Sequence, residues 1–175
     1  QLSSRNLIDP AWITQAQTFS LATAEQVSTR SMAFANDELA LVDLRAVSDT
    51  YPLKGSIKLA PELFATGAAT TQIPQRGEAW IDSRLFQLLG LVIGDNIELG
   101  DATFTVTQIL SEIPDGGFSV FNADPMVLIN QQDIAATNVI GPGSRVNYKA
   151  YFTGENGDLD DYFDALSPKL DRQIH

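Results

Sequence analysis

Acidic side chains are the residues of this sequence best placed to do chemistry, because five of them lie close together near the carboxyl end. They are Glu155, Asp158, Asp160, Asp161 and Asp164. Carboxylates are ligands for Ca²⁺, but an EF-hand loop needs acids at alternate positions, a central glycine and a closing glutamate. This stretch lacks that register. Because negative charge stabilises the first turn of a helix, we interpret the cluster as a solvated helix start and predict no metal site.

Other catalytic residues are scarce. His175 is the only histidine and the last residue, and cysteine is absent, which excludes thiolate metal sites, cysteine nucleophiles and disulfides. The sequence contains no GxSxG elbow, Walker A loop, GxGxxG turn or HExxH helix. We therefore predict no catalytic residue, no cofactor and no enzymatic activity. A hydrolase with paired carboxylates stays open as an alternative, and it would require a deep acidic cleft with raised carboxyl pKa values.

Two aromatic residues are candidates for recognition. Phe118 and Phe121 follow Gly116-Gly117 in a segment that the pattern predicts as a loop. Exposed aromatic side chains are typical of docking sites, whereas aromatic residues that fold back from a loop join the core. Both interpretations stay open, and we name Phe118 and Phe121 as the candidate partner-contact loop.

Composition limits the partners of the chain. The 175 residues are 44% hydrophobic and 19% charged, with a net charge of −11, so the chain can bury a core while its surface repels nucleic acid phosphates. We predict no nucleic acid partner.

The sequence shows no membrane-spanning segment. The longest apolar run, around Leu85 to Ile93, is shorter than the ~20 residues of a transmembrane helix. No signal peptide precedes Gln1, so we expect a segment of a longer protein.

Periodicity and capping predict the amino-terminal elements. Asp9 before Pro10 is a helix start, and apolar residues at spacings of three or four predict a helix to about Ser20. Two extended stretches then flank Asn36-Asp37, residue types that tolerate the left-handed backbone of a hairpin turn. The second stretch, residues 39–47, is apolar on both faces, so we expect it inside a sheet rather than at its edge.

The middle third predicts a small, strongly twisted β-lobe. Residues 61–76 show little periodicity and are interpreted as a loop or short irregular helix. A strand over 78–82 leads into a helix capped by Ser83 and stopped by Gly90. Strands over 96–99 and 103–110 follow, and we interpret the lobe as a partial barrel.

The carboxyl-terminal part again combines a strand with a helix. Residues 145–152 alternate between apolar and polar, which predicts a strand, and Asp158 is the expected cap of the last helix. Breaks at 51–55 and 141–144 indicate an insertion into an α+β sandwich. We predict one lobe from residues 1–60 and 144–175, with residues 61–143 as an inserted β-rich lobe.

Three blocks of the sequence resemble one family. They are Ser31–Val47 running into Tyr51–Gly55, Gly77–Leu85 with Leu89–Asp95, and Asp133–Val146. In this order they are similar to the MacB-like periplasmic core domain of YbbP-like ABC transporter permeases, within the FtsX/MacB superfamily. The resemblance covers nearly the whole chain.

The resemblance implies a porter-like α+β lobe with an inserted, sabre-like lobe, placed at the periplasmic face of the bacterial inner membrane. The domain would transmit ATP-driven motion and contact substrate or a periplasmic partner. The implied partners are the membrane-embedded remainder of the same permease, a cytoplasmic ABC ATPase subunit and a periplasmic lipolytic thioesterase, which points to hydrophobic or lipid-like cargo. The resemblance supplies no catalytic residue. An independent secreted module that binds a ligand or a protein stays open as the alternative.

Overall fold

A computed structural model describes residues 1–114, 124–141 and 143–170. These residues form ten strands and four α-helices in an α+β fold. The strands are β1 (Leu2–Ser4), β2 (Ala22–Ala35), β3 (Glu38–Val47), β4 (Ile57–Ala60), β5 (Ala68–Thr70), β6 (Glu78–Asp82), β7 (Asn96–Leu99), β8 (Ala102–Glu112), β9 (Met126–Asn130) and β10 (Val146–Thr153). The helices are α1 (Pro10–Thr18), α2 (Ser83–Leu89), α3 (Ile134–Thr137) and α4 (Asn156–Leu170).

The described strands form one mixed sheet that closes on itself in part. Its order is β1-β10-β2-β3-β9-β6-β8-β4-β5, and β7 pairs with both β2 and β8. The pairings from β2 through β3, β9, β6, β8 and β7 return to β2, so six strands make a small barrel. The barrel expected in the middle third is therefore closed, and it includes the earlier strands β2 and β3.

Strand β2 joins the two parts of the sheet. On one side, β2 pairs with β10 over Ala22–Thr29 and with β7 at Ala33 and Phe34. On its other side it pairs with β3 from Gln26 to Ala35. The Asn36-Asp37 turn has φ values of 51° and 61°, which confirms the predicted hairpin. Since β3 also pairs with β9, its predicted interior position is confirmed.

Three clusters of buried apolar side chains hold the fold together. The first fills the barrel and includes Leu85, Phe86 and Leu89 of α2. The second lies beneath α1 and α4, where Trp12 and Tyr162 pack together with Phe152 of β10. The third lies on the opposite sheet face, between the strands and the segment that follows β3. Burial of these clusters is the main stabilising contribution to the fold.

Local signals explain most helix ends, with two corrections. Asp9 caps α1 by accepting a hydrogen bond from Ala11 N at 2.9 Å, and Gly90 ends α2 with φ 62°, both as predicted. The cap of α2 is Asp82, which accepts from Arg84 N at 2.9 Å, whereas Ser83 is already helical. Helix α4 begins at Asn156, so Asp158 lies inside its first turn and is not its cap.

Strands β4 and β5 lie where the sequence pattern predicts a break followed by a loop. Strand β4 follows the break at 51–55, and β5 lies inside the stretch interpreted as a loop. Both are short; β5 is the edge strand, and β4 pairs with β5 on one side and with β8 on the other. Pairing with a distant strand gives no local periodicity, which is why the sequence pattern missed them.

Candidate contact surfaces and clefts

Apolar side chains on the outer face of the β2–β3 hairpin are exposed. Met32 lies opposite Leu41, and Phe34 lies opposite Leu39. Leu39 is 63% exposed, Met32 46% and Leu41 40%, while the alternate residues of both strands are buried in the barrel. We call Met32, Phe34, Leu39 and Leu41 the hairpin surface. Monomeric proteins seldom leave such a group of apolar side chains uncovered without a function in contact.

Charged side chains border the hairpin surface. Arg30 and Asp43 are paired across the strands, one step along the hairpin from Met32 and Leu41. Arg30 Nε donates to Asp124 Oδ2 at 2.8 Å, and Arg45 forms an ion pair with Asp43 at 3.1 Å. These ion pairs separate the hairpin surface from the third buried cluster, which continues along the same face.

The tip of the hairpin is fastened to the end of α2. Asn36 Nδ2 donates to the carbonyl oxygens of Leu89 and Gly90, at 2.8 and 3.0 Å. A second group of exposed apolar side chains lies at this end of α2, namely Leu88, Val92 and Ile93. The turn is therefore held in place between the hairpin surface and this second group of exposed apolar side chains.

An aromatic cleft of about 310 Å³ opens beside the segment that follows β3. Its walls include Tyr51, Pro52, Leu53, Pro114, Tyr151 and Phe152, and Gln1, Lys54 and Thr153 also line it. The rings of Tyr51 and Tyr151 meet edge to face with centroids 5.8 Å apart. The buried Gln26 Nε2 donates to Tyr51 Oη at 3.4 Å, which helps to hold this ring in place.

A second, polar cleft of about 250 Å³ lies between α1, the start of β2 and the end of β9. Glu25 and Asp49 are its two carboxylates, and Glu25 Oε2 accepts from Gln131 Nε2 at 2.6 Å. The buried Asn130 caps the following turn by accepting from Gln132 N at 2.9 Å. Within the described residues, no group of three or more His, Cys, Asp or Glu side chains is placed to hold a metal ion.

The residues singled out in the sequence fall in different places. Phe118, Phe121 and His175 lie outside the described residues. Asp158 is half-buried in the first turn of α4, and the other four acids of the cluster are exposed, which agrees with a solvated helix start. The hairpin surface was missed. Its one signal was that residues 39–47 are apolar on both faces, a pattern that by itself indicates burial.

The fold is shared with solved domains of ABC-type transporters. The extracellular domain of YknZ from Gram-positive bacteria aligns over 96% of this chain and 89% of that one, with a TM-score of 0.61 and 11% identity. The periplasmic region of MacB from Actinobacillus actinomycetemcomitans aligns over 90% of this chain and 73% of that one, with a TM-score of 0.52 and 13% identity. The α+β fold is that of a transporter domain of the MacB and YknZ kind.

A sequence relative narrows this class. The ABC transporter permease YbbP of Escherichia coli (strain K12) is 34% identical over 169 residues, which are 97% of this chain and 20% of that protein. The chain is a relative of YbbP-like ABC transporter permeases, and the resemblance carried by the three sequence blocks is confirmed. It spans about one fifth of the length of this relative. No family model matches the chain, and no helix among the described residues is long and apolar enough to cross a bilayer.

Proposed function

We propose that the chain is the non-catalytic periplasmic domain of a YbbP-like permease, which contacts a partner or substrate and transmits ATP-driven motion to it. The observation that carries this proposal is the hairpin surface, a group of apolar side chains that no other described element covers. It lies at one end of β2, and the other end of β2 pairs with β10. ATP would be hydrolysed by a separate cytoplasmic subunit, as the resemblance implies.

The chemistry of the hairpin surface defines the partner that would fit it. Its centre is apolar, and its border carries Glu98, placed opposite Phe34, together with the Arg30–Asp43–Asp124 group. The whole chain has a net charge of −11. A partner with an apolar centre and a basic border would complement both features, since charge complementarity guides association while buried apolar contacts supply affinity.

The connection between strands supports a role in transmission. Strand β2 is hydrogen-bonded to β10 at one end and to β7 at the other, and β10 pairs with β1 near the start of the chain. A movement of the terminal elements would therefore pass to the hairpin through backbone hydrogen bonds. Packed sheets respond to such a displacement as units rather than by local bending.

Several finer points belong to the same proposal and rest on the resemblance. The partners would be the membrane-embedded remainder of the permease, a cytoplasmic ABC ATPase and a periplasmic lipolytic thioesterase, and the cargo would be hydrophobic or lipid-like. The division into residues 1–60 with 144–175 and residues 61–143 stays a prediction. Phe118 and Phe121 also stay a predicted contact loop, for which the flanking Asp124 beside Arg30 is a supporting observation.

Site-specific crosslinking in the intact transporter tests the contact. The chain has no cysteine, so a single thiol placed in it can be labelled without interference from others within it. We expect a photocrosslinker at Leu39→Cys to capture a partner protein or substrate. Thr14→Cys, on the exposed side of α1, is the matched control and should capture neither. Equal capture from both positions, or none from Leu39→Cys, would refute the hairpin surface as the contact.

The same experiment extends to the predicted loop. Phe118→Cys and Phe121→Cys should capture the partner that Leu39→Cys captures. Absence of crosslinks from both phenylalanine positions, with capture retained at Leu39→Cys, would restrict the contact to the hairpin.

A further inference from the structure

We infer that the aromatic cleft is a binding site for a small amphipathic anion, a molecule with an apolar chain and one negatively charged head group. This deepens the proposed function, on which its physiological meaning as cargo recognition rests. Binding itself is a property of this chain alone and can be tested without the transporter.

The size of the cleft suits a short apolar molecule. A space of about 310 Å³ holds roughly ten non-hydrogen atoms, if each takes about the ~30 Å³ share of a water molecule in the liquid. This is at the lower end of the range for small-molecule sites. The anion of octanoic acid has ten non-hydrogen atoms and is therefore the natural probe.

The walls supply apolar contact in a fixed arrangement. Tyr51 is 3% exposed and Phe152 8% exposed, so the surrounding core holds both rings in place. The edge-to-face contact of Tyr51 with Tyr151 fixes the second aromatic side chain of the wall. Proline rings at 52 and 114 complete the lining, and because a proline side chain has little conformational freedom to lose, its contact with a ligand costs little entropy.

The charge of the ligand follows from Lys54. Four of the described basic side chains, Arg45, Lys58, Arg76 and Arg84, form ion pairs with acids of their own neighbourhood, and Arg30 pairs with Asp124. Lys54 is exposed and, like Arg5, Arg145 and Lys149, has no ion pair among the described residues, but of these four side chains it is the one that lines the cleft. In a chain of net charge −11, an exposed ammonium group beside an apolar space favours an anionic head group over a cationic one.

Titration with straight-chain carboxylates, followed by amide chemical shifts, tests the inference. We expect saturable shifts around residues 51–54 and 151–153, and affinity that rises about fourfold for each methylene from hexanoate to octanoate. The gain should stop near decanoate, where the chain exceeds the cleft. Shifts that do not saturate, or that centre on the hairpin surface, would overturn the inference.

Two pairs of variants separate the charge from the wall. Lys54→Gln should weaken octanoate about two- to fivefold and leave octan-1-ol unchanged. Its control, Lys58→Gln, removes the same charge from a half-exposed lysine that is paired with Glu112 outside the cleft lining, and should change the affinity for neither ligand. Leu53→Glu should weaken octanoate more than tenfold, whereas Leu7→Glu, at a leucine that is 69% exposed elsewhere, should not.

The outcomes distinguish this site from the proposed contact. Equal weakening by the two lysine variants would show nonspecific attraction and overturn the inference. The inference is also overturned if no carboxylate binds and Leu53→Glu lowers the thermal midpoint far more than Leu7→Glu does. That result would show that side chains of the protein itself fill the cleft. Octanoate binding in a protein whose Leu39→Cys position captures nothing would uphold the cleft and refute only the hairpin contact.

Discussion

At the scale of single residues, Tyr162 connects the last helix to the first. Its side chain is fully buried, its hydroxyl donates to Trp12 O at 2.8 Å, and its ring contacts Phe152 with centroids 4.9 Å apart. Tyr162→Phe keeps the ring and removes the hydrogen bond. We expect it to lower the free energy of unfolding by about 1 kcal/mol, measured by urea denaturation near pH 8.

Because of Tyr162, we also expect the free energy of unfolding to depend on pH in the alkaline range. Burial raises the pKa of Tyr162 from 10.0 to about 12, so between these values the phenol ionises in the unfolded chain before it ionises in the folded protein. Stability from this group is present below pH 10 and is lost as the pH rises toward 12, by about 1–2 kcal/mol. The stability advantage over Tyr162→Phe should therefore shrink between pH 8 and 11. An unchanged difference would contradict the assignment.

At the scale of elements, mutations on the inner and outer faces of β3 should have different effects on stability. Leu44 is fully buried in the barrel, whereas Leu39 is 63% exposed on the hairpin surface. We expect Leu44→Ala to cost about 2–5 kcal/mol of unfolding free energy, from lost burial and the remaining cavity. Leu39→Ala should stay within about 0.5 kcal/mol. A large loss at Leu39 would show that the hairpin surface is structural rather than available for contact.

The β7–β8 turn depends on a glycine for two reasons. Gly100 has φ 57°, and a Cβ added there would lie 2.0 Å from the carbonyl oxygen of Thr137, beside α3. Gly77 also has positive φ, 82°, but a Cβ there would meet nothing within 4 Å. We expect Gly77→Ala to cost about 1 kcal/mol for backbone conformation alone. Gly100→Ala should cost about 2–4 kcal/mol by denaturation, and equal losses would contradict the clash.

Local chemistry made part of this architecture predictable. The Asp9-Pro10 helix start, the Asn36-Asp37 turn and the Gly90 stop each depend on the conformational preferences of a few adjacent residues. Closure of the barrel does not, because it depends on β7 reaching β2 through only two residue pairs, Ala33 with Leu99 and Phe34 with Glu98.

The candidate sites were less accessible to sequence reasoning for the same reason. Leu39 and Leu41 have the same apolar character as buried strand residues, and only the absence of a covering element exposes them. The aromatic cleft joins Tyr51 and Tyr151, which are adjacent only because β10 and the segment after β3 flank the start of β2. Neither arrangement leaves a motif in the sequence.

At the scale of the whole molecule, the shared sheet predicts cooperative unfolding. Trp12 lies beneath α4, and Trp80 lies on β6 within residues 61–143. Variants Trp12→Phe and Trp80→Phe each leave one tryptophan, whose fluorescence reports on one part of the chain. Within each variant, we expect its fluorescence transition in urea to coincide with circular dichroism, because β3 and β9 pair directly across the two parts. Separate transitions would show that the two predicted lobes unfold independently.

The length of β2 has a mechanical consequence. Fourteen residues in extended conformation measure up to about 45 Å at ~3.3 Å per residue. A strand of that length, turned by about 5° about the end near α1 and α4, would carry its other end sideways by about 4 Å, roughly the spacing between neighbouring strands. The chain therefore has the geometry of a lever arm, in which a small rotation near the chain termini becomes a displacement large enough to make or break a contact at Asn36-Asp37.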